Sequence, residues 1–258
     1  MNTRTRSGQK NGGGGKGVAW IAVFAILTLG LALAAWKLIG DRYQNKVDLE
    51  LGCLVNRLPP VAALFLVDAT DQLGAIEAKR VVDQIKLVES KLDPYSRMIV
   101  VAFGDQTTSV PQPIFDRCMA PKAGLTVGER YVERIRKEFI DKVSQLETKL
   151  QQVPNSKSSP IGQQIINVAS DPLLKWEGDR KRLILITDGL ETQVYSSKRL
   201  TLKPAPENIL KGVDAEYFEI GNTRSQSLQT PQLREAWGQW LVAAGAKVKI
   251  TAPGYRAK

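Results

Sequence analysis

Histidine is absent from all 258 residues of this chain. Its absence excludes Ser-His-Asp and Cys-His catalysis, zinc sites with histidine ligands, and proton transfer through an imidazole. The sequence also lacks an internal repeat and a second apolar core, so one folded domain accounts for its body. A function that needs no catalytic histidine, such as binding another protein, is therefore favoured.

Cysteine is scarce, with Cys53 and Cys118 as the only two residues of this type. In an oxidising compartment the two can pair, and the bond would join the segment after the apolar N-terminal run to a later loop. The alternative is two unrelated small residues, because sequence spacing alone does not establish a distance. We predict the disulfide bond.

A compact basic stripe with interleaved aromatic residues is also missing, although the net charge is +10. Residues 1–46 contain seven basic residues and one acidic residue, so most of the excess lies at the N-terminus. The rest of the charge is spread over mixed-sign segments, which is ordinary for solubility. The composition therefore predicts no nucleic-acid partner.

One long uncharged run is present, Val18 to Trp36, and its nineteen residues are enough to span most of a hydrocarbon core about 30 Å thick. We predict a transmembrane helix over residues 18–40. Residues 1–17 are basic, rich in glycine and without acidic residues, which predicts a disordered tail. The competing interpretation is a cleaved signal peptide, because Ala32-Leu33-Ala34 has the small-x-small form of a cleavage site.

The basic tail ahead of the apolar run favours a cytoplasmic N-terminus. The expectation is a single-pass inner (cell) membrane protein, a signal-anchor type, with its C-terminal domain periplasmic or extracellular. Residues 41–59 form a juxtamembrane segment, residues 60–252 form the domain, and residues 253–258 form a C-terminal tail. The two cysteines follow the apolar run, which agrees with export.

Short apolar runs alternate with amphipathic segments through residues 60–252. The predicted order is β-α-β-β-α-α-β-α-β-α-β, and the order requires a mostly parallel, doubly wound α/β sheet of about six strands covered on both faces. The predicted strands are Val61 to Val67, Met98 to Phe103, Val110 to Phe115 at an edge, Leu183 to Thr187, Tyr217 to Ile220 and Val248 to Ile250. The predicted helices cover residues 73–92 and 129–153, a segment opened by Pro160, and a segment opened by Pro231.

Three polar clusters fall where parallel strands and helices meet. Asp68-Ala69-Thr70-Asp71-Gln72 follows the first strand, Ser158-Ser159-Pro160-Ile161-Gly162 opens a helix, and Thr187-Asp188-Gly189 follows the fourth strand. In an open parallel sheet, ligands bind beyond the carboxyl ends of the strands where the strand order reverses. Hydroxyl and carboxylate oxygens from separate loops suit Mg²⁺, Ca²⁺ or Mn²⁺.

This arrangement resembles the von Willebrand factor A-domain family over nearly all of residues 60–252. In that family an Asp-x-Ser-x-Ser motif, a later Thr and an Asp after the fourth strand form a metal-ion-dependent adhesion site. Asp68 and Thr70 match the first two motif positions, Ser159 lies in a Ser-Pro-Ile-Gly that looks like the family's Thr-Pro-Ile-Gly, and Asp188 looks like the family's strand-terminal Asp. Gln72 stands where the family has the second Ser.

The resemblance implies a non-catalytic binding module rather than an enzyme. It implies a metal site made of Asp68, Thr70, Ser159 and Asp188, with Mg²⁺ as the ion and Mn²⁺ or Ca²⁺ as alternatives, and a partner protein that supplies an acidic side chain. The structural alternative is that the Asp residues cap helices or close turns and that the Ser before Pro160 is a helix cap.

Two other functions stay open from the sequence. One is a docking component of a larger membrane machine without a metal site. The other is a metal-dependent hydrolase that uses Asp68 as nucleophile, because a strand-terminal Asp can form an aspartyl-phosphate. Enzymes of the haloacid dehalogenase type have Asp-x-Asp after the first strand, whereas this chain has Thr70 at the second Asp position.

Overall fold

The computed structural model describes residues 15–44, 47–48, 50–104, 111–121, 129–156, 158–191, 202–220 and 230–251. The chain divides into two compact units, Met1–Asn45 and Lys46–Lys258. Most of the predicted tails, at residues 1–14 and 253–258, lie outside the described residues, as do residues 192–201 between the fourth and fifth strands.

The described residues of the first unit form the helix α1 at Gly15–Gln44. It includes the run that was predicted to span a membrane, and the side chains from Val23 to Lys37 are exposed. Within the described part of the chain, none of the helices has the combination of length and mean hydropathy that a membrane crossing requires.

The second unit contains a six-stranded sheet in the order β3-β2-β1-β4-β5-β6. All neighbouring pairs are parallel except β2 and β3, which are antiparallel. The strands are β1 Val61–Asp68, β2 Arg97–Phe103, β3 Pro113–Cys118, β4 Arg180–Thr187, β5 Val213–Glu219 and β6 Lys247–Thr251. The predicted open, mostly parallel α/β sheet is therefore confirmed.

Helices cover both faces of this sheet, because the central strands are apolar on both sides. The helices are α2 Ala75–Glu89, α3 Glu129–Ser144, α4 Leu146–Gln151, α5 Ile161–Ser170 and α6 Pro231–Ala243. Leu64 and Leu66 of β1 join one core with α5 and α6. Phe65 and Val67 join the other core with α2, α3 and α4.

Several predicted boundaries need correction. The predicted helix over residues 129–153 is interrupted at Gln145, which lies between α3 and α4. The edge strand β3 begins at Pro113, where its antiparallel pairing starts opposite Val101 of β2. Val110, the predicted start, lies outside the described residues. Strand β5 begins at Val213, four residues before the predicted start. The sequence pattern missed the first half of this strand because its burial alternates and it carries charged residues.

Two apolar positions within the predicted helices are exposed. They are Ile76 of α2 and Val242 of α6. Ile76 lies in the first turn of α2, and Val242 lies in the last turn of α6. Side chains in terminal turns lie at the margin of the sheet, where a helical repeat alone does not determine burial.

The predicted disulfide bond between Cys53 and Cys118 is confirmed, with the two Cα atoms 5.0 Å apart. The backbone N–H of Cys118 also donates to the carbonyl of Leu51 at 2.8 Å. These contacts attach residues 50–54 to the end of the edge strand β3.

Candidate functional site at the carboxyl ends of the strands

The strand order reverses between β1 and β4, which are parallel neighbours in the middle of the sheet. After β1 the chain moves outward to β2, and after β4 it moves the other way to β5. Asp68 is the last residue of β1 and Thr187 is the last residue of β4, so both stand at this switch point. Sheets of this kind bind their ligands at the switch point.

The carboxylate of Asp68 is buried and accepts four hydrogen bonds. Its Oδ1 accepts from the Thr70 backbone N–H at 3.1 Å and from the Thr70 hydroxyl at 2.7 Å. Its Oδ2 accepts from the hydroxyls of Ser159 and Thr187, each at 2.8 Å. A carboxylate has about four lone-pair positions, so this network fills them.

Two of the four hydrogen bonds come from the hydroxyl groups of Thr70 and Ser159. Each hydroxyl donates its only proton to Asp68, and a hydroxyl oxygen that donates its proton can also accept a hydrogen bond or bind a cation. Asp68 therefore acts as the acceptor that orients two hydroxyl oxygens.

The turn after β4 is fixed by its own side chains. The Thr187 hydroxyl accepts from the Gly189 backbone N–H at 3.0 Å, and Asp188 Oδ1 accepts from the Leu190 backbone N–H at 2.9 Å. Gly189 has a φ of +77°, and a Cβ there would collide with the hydroxyl of Tyr217, so glycine is required. The turn holds the Asp188 side chain in one direction.

Ser159 reaches Asp68 because residues 153–156 and 158–160 lie beside the residues that follow the carboxyl ends of β2 and β1. The Ser156 backbone N–H donates to the Thr70 carbonyl at 2.8 Å. Gly104, directly after β2, packs so closely that a Cβ would lie against the Pro154 carbonyl oxygen. We call residues 153–156 and 158–160 the crossing segment; backbone contacts with the residues that follow β1 and β2 set its position.

A cavity of about 250 Å³ opens at this edge. Three of the four predicted metal ligands line it, namely Asp68, Thr70 and Asp188. Its other lining residues are Asp71, Gln72, Leu73, Gly74, Glu77 and Ile220. Among the described residues, the lining contains four carboxyl groups and no basic side chain, so this lining favours a cationic occupant.

Both aspartates have raised pKa values. Burial raises the pKa of Asp68, and the hydrogen bonds from Thr70, Thr187 and Ser159 lower it only in part. Burial, followed by the charge of Asp68, raises the pKa of Asp188 to about 7. Asp71 and Glu219 add to the same repulsion. A cation between the two carboxylates would remove this cost.

The structure brings all four predicted site residues together. The hydroxyl of Ser159 donates a hydrogen bond to Asp68. The other three residues line the cavity. The structural alternative for Ser159 is not met, because the residue at the N-cap of α5 is Pro160. The Glu191 carboxylate accepts from the backbone N–H of Gly162 in the first turn of this helix. Asp68 likewise caps no helix, since the N-cap of α2 is Gly74. The two aspartates do close turns, as the structural alternative proposed.

The four side chains offer oxygen atoms from carboxylate and hydroxyl groups, which is the hard oxygen chemistry that Mg²⁺, Mn²⁺ and Ca²⁺ prefer. Asp68 orients the two hydroxyls, so the oxygens of Thr70, Ser159 and Asp188 are the candidate ligands. Gln72, at the departing motif position, is exposed and lines the cavity with an amide that also contains an oxygen. Within the described ranges, no cluster of three or more Cys, Asp or Glu side chains is arranged to hold a metal. The carboxylates alone are therefore too few to hold such an ion, and the hydroxyl oxygens of Thr70 and Ser159 are needed as ligands.

Sequence reasoning did not assign a role to Thr187, Asp71 or Glu77. Thr187 was noted only as part of its cluster, yet its hydroxyl both donates to Asp68 and accepts from Gly189. A polar residue that ends an otherwise apolar strand was the available signal. Glu77 gave no signal, because a carboxylate in the first turn of a helix is usual.

These features define the class of the protein as an α/β domain with a six-stranded, mostly parallel sheet and a candidate ligand site at its switch point. Among solved structures, it is similar to a protein described as von Willebrand factor type A from Catenulispora acidiphila, with 15% sequence identity and a TM-score of 0.35. The match covers 76% of this chain and 39% of the other, so the chain spans about two fifths of that structure. No family model and no curated protein matches the chain.

Proposed function

We propose that this protein is a membrane-anchored, extracytoplasmic module of the von Willebrand A type that binds another protein at the carboxyl edge of its sheet. The observation that carries the proposal is the hydrogen-bond network of Asp68 with Thr70, Ser159 and Thr187, beside a cavity that Asp188 also lines. The partner contributes an acidic side chain.

A divalent cation is part of this proposal. Asp188 and the hydroxyl oxygens of Thr70 and Ser159 would hold the ion, while Asp68 orients the two hydroxyls. When bound, the ion supplies positive charge that an acidic side chain of the partner can approach. Without this charge, the acidic lining of the cavity repels such a side chain.

Titration of the full-length chain in detergent with Mg²⁺, Mn²⁺ and Ca²⁺ tests the cation site. Wild-type protein should release or absorb heat and gain thermal stability, because an ion that binds only the folded state stabilises it by mass action. Asp188→Asn should lose both signals. Asp83→Asn, on the exposed side of α2, is the matched control and should keep them. No heat and no thermal shift with any of the three ions would reject the site.

The proposed membrane anchor has separate support. Val18 to Trp36 contains no charged residue and follows a basic tail. The disulfide between Cys53 and Cys118 agrees with an oxidising compartment on the far side of the membrane. Protease added to the outer face of sealed cells should remove the domain. Full protection of the domain in intact cells, with digestion after lysis, would contradict this topology.

This binding function needs no catalytic residue. A nucleophilic Asp68 would need an oxygen lone pair directed at a substrate, whereas four donors already occupy this carboxylate. The network instead suits a site that orients groups for binding.

A further inference from the structure

The two edges of the sheet differ in whether another strand can be added to them. At the β3 edge, the backbone N–H of Cys118 donates to the Leu51 carbonyl at 2.8 Å, outside the pairing with β2. The Ile114 carbonyl accepts from Lys149 Nζ at 2.9 Å. Pro113, the first residue of this strand, has no N–H to donate. These features close the β3 edge against a further strand.

The β6 edge has none of these features in the part of the chain that the structure describes. Strand β6 is last in the sheet and pairs only with β5. Outside this pairing, the backbone groups of Lys247, Val248 and Lys249 form no hydrogen bond with a described residue. About half of the N–H and C=O groups of an edge strand point away from its neighbour. The β6 edge can therefore pair with an extended segment.

Charges of alternating sign cross one face of the sheet towards this edge. In the register of the strands, Arg182 of β4 lies opposite Asp214 of β5, and Asp214 lies opposite Lys247 of β6. Glu216 lies opposite Lys249 and forms a salt bridge with Arg182 at 3.2 Å. The order of signs is positive on β4, negative on β5 and positive on β6. Because opposite charges on neighbouring strands attract, a strand with acidic residues would continue this order.

The two lysines of β6 are available to such a strand. Both are exposed, and Lys249 is only loosely paired, with its Nζ 3.9 Å from Glu216 Oε1. An ammonium group has three donors, so it can bind a second carboxylate. Val248 lies between the lysines, on the other face, and packs against the core that includes α5 and α6. A segment added at β6 therefore meets positive charge on one face and an apolar side chain on the other.

We propose that β6 binds an extended segment of a partner protein as a seventh strand, in which acidic residues alternate with apolar ones. Main-chain hydrogen bonds supply the attraction, and the alternate side chains supply the specificity. Lysines on an edge strand oppose pairing with an identical strand, so a second copy of β6 is disfavoured as the occupant. This surface is separate from the candidate cation site, which lies at the ends of β1 and β4.

Peptide binding to the full-length chain in detergent tests this proposal. The probe is the fluorescein-labelled peptide Thr-Glu-Val-Glu-Val-Glu-Thr with blocked ends, and fluorescence anisotropy measures its binding. It should bind about tenfold more tightly than the counterpart Thr-Lys-Val-Lys-Val-Lys-Thr, because two cross-strand pairs change from attractive to repulsive. Hydrogen exchange of residues 247–251 should slow when the acidic peptide binds, since outward N–H groups of β6 become hydrogen-bonded.

Two comparisons separate strand addition from simple attraction between a basic chain and an acidic peptide. The peptide Thr-Glu-Glu-Glu-Val-Val-Thr has the same composition without the alternation and should bind several-fold more weakly. The double variant Lys247→Gln with Lys249→Gln should bind the acidic and the lysine peptide about equally. The matched control Lys86→Gln, at an exposed lysine of α2, should keep the tenfold preference. Equal binding of the alternating and rearranged peptides, an unchanged preference in the double variant, or no binding to the wild type would overturn the proposal.

Discussion

At the residue scale, the hydroxyl of Thr187 connects the two halves of the candidate site. It donates to Asp68 and accepts from the Gly189 backbone N–H. Replacing it with valine removes one of the four hydrogen bonds to the buried Asp68 carboxylate and the side-chain acceptor of the Gly189 N–H, at a cost of about 1–3 kcal/mol in the free energy of unfolding. Urea denaturation of Thr187→Val measures this loss. Thr187→Ser keeps the hydroxyl and should lose much less; equal losses in the two variants would contradict the role of the hydrogen bonds.

The raised pKa of Asp188 predicts a pH dependence of stability. Its value of about 7 in the folded protein lies above its ordinary value of 3.8, so the folded state holds a proton that the unfolded state releases. The contribution of Asp188 to stability is therefore greatest below pH 3.8 and falls as the pH rises towards 7, by at most about 1.4 kcal/mol per pH unit. Urea unfolding in EDTA from pH 5 to 8 should show a flatter profile for Asp188→Asn than for wild type. Parallel profiles would exclude this assignment.

The same carboxyl group couples cation binding to proton release. At pH 6 the Asp188 carboxyl is mostly protonated, because its pKa is about 7, and a divalent cation binds the ionised form. Calorimetry with Mg²⁺ in two buffers of different ionisation enthalpy should detect the release of close to one proton at pH 6 and far less at pH 8. Binding heats that do not depend on the buffer at pH 6 would show that Asp188 is not a ligand.

At the scale of structural elements, the crossing segment positions Ser159, and Gly104 is the residue that lets it approach. A methyl group at Gly104 would meet the Pro154 carbonyl, so Gly104→Ala should displace the segment and cost at least about 2 kcal/mol of stability. The variant should also weaken cation binding. Thermal unfolding with and without Mg²⁺ measures both effects.

Gly162 provides the control for this prediction. It lies in α5, and a Cβ there would meet its nearest neighbours at 3.6 Å or more, which is ordinary contact. Gly162→Ala should keep stability or raise it by up to about 1 kcal/mol, since alanine favours helix. If the two glycine variants behave alike, backbone contact at Gly104 does not position Ser159.

The apolar pattern of the sequence predicted the strands that are buried throughout. It missed segments whose burial depends on contacts with other strands or helices. Strand β1 is buried throughout, and its run was assigned within one residue of its observed end. Strand β5 alternates, with Glu216 paired to Arg182 of β4, so its first half lacked an apolar signal. The site was predicted at the level of its strand ends, because topology determines which ends meet. The hydrogen bond from Thr187 to Asp68 could not be predicted, because the sequence does not show which way each side chain points at the strand ends.

At the scale of the whole molecule, the disulfide connects the segment that follows α1 to the edge of the sheet. Cys53 and Cys118 are 65 positions apart in the sequence, and closing such a loop stabilises the folded state by roughly 4 kcal/mol in the chain-entropy model. Reductant should lower the midpoint of urea unfolding of the wild type accordingly. The double variant Cys53→Ser with Cys118→Ser should unfold at this lower midpoint with or without reductant. A wild-type midpoint that reductant leaves unchanged, after thiol labelling has verified reduction, would show that the bond adds nothing to the stability of the sheet.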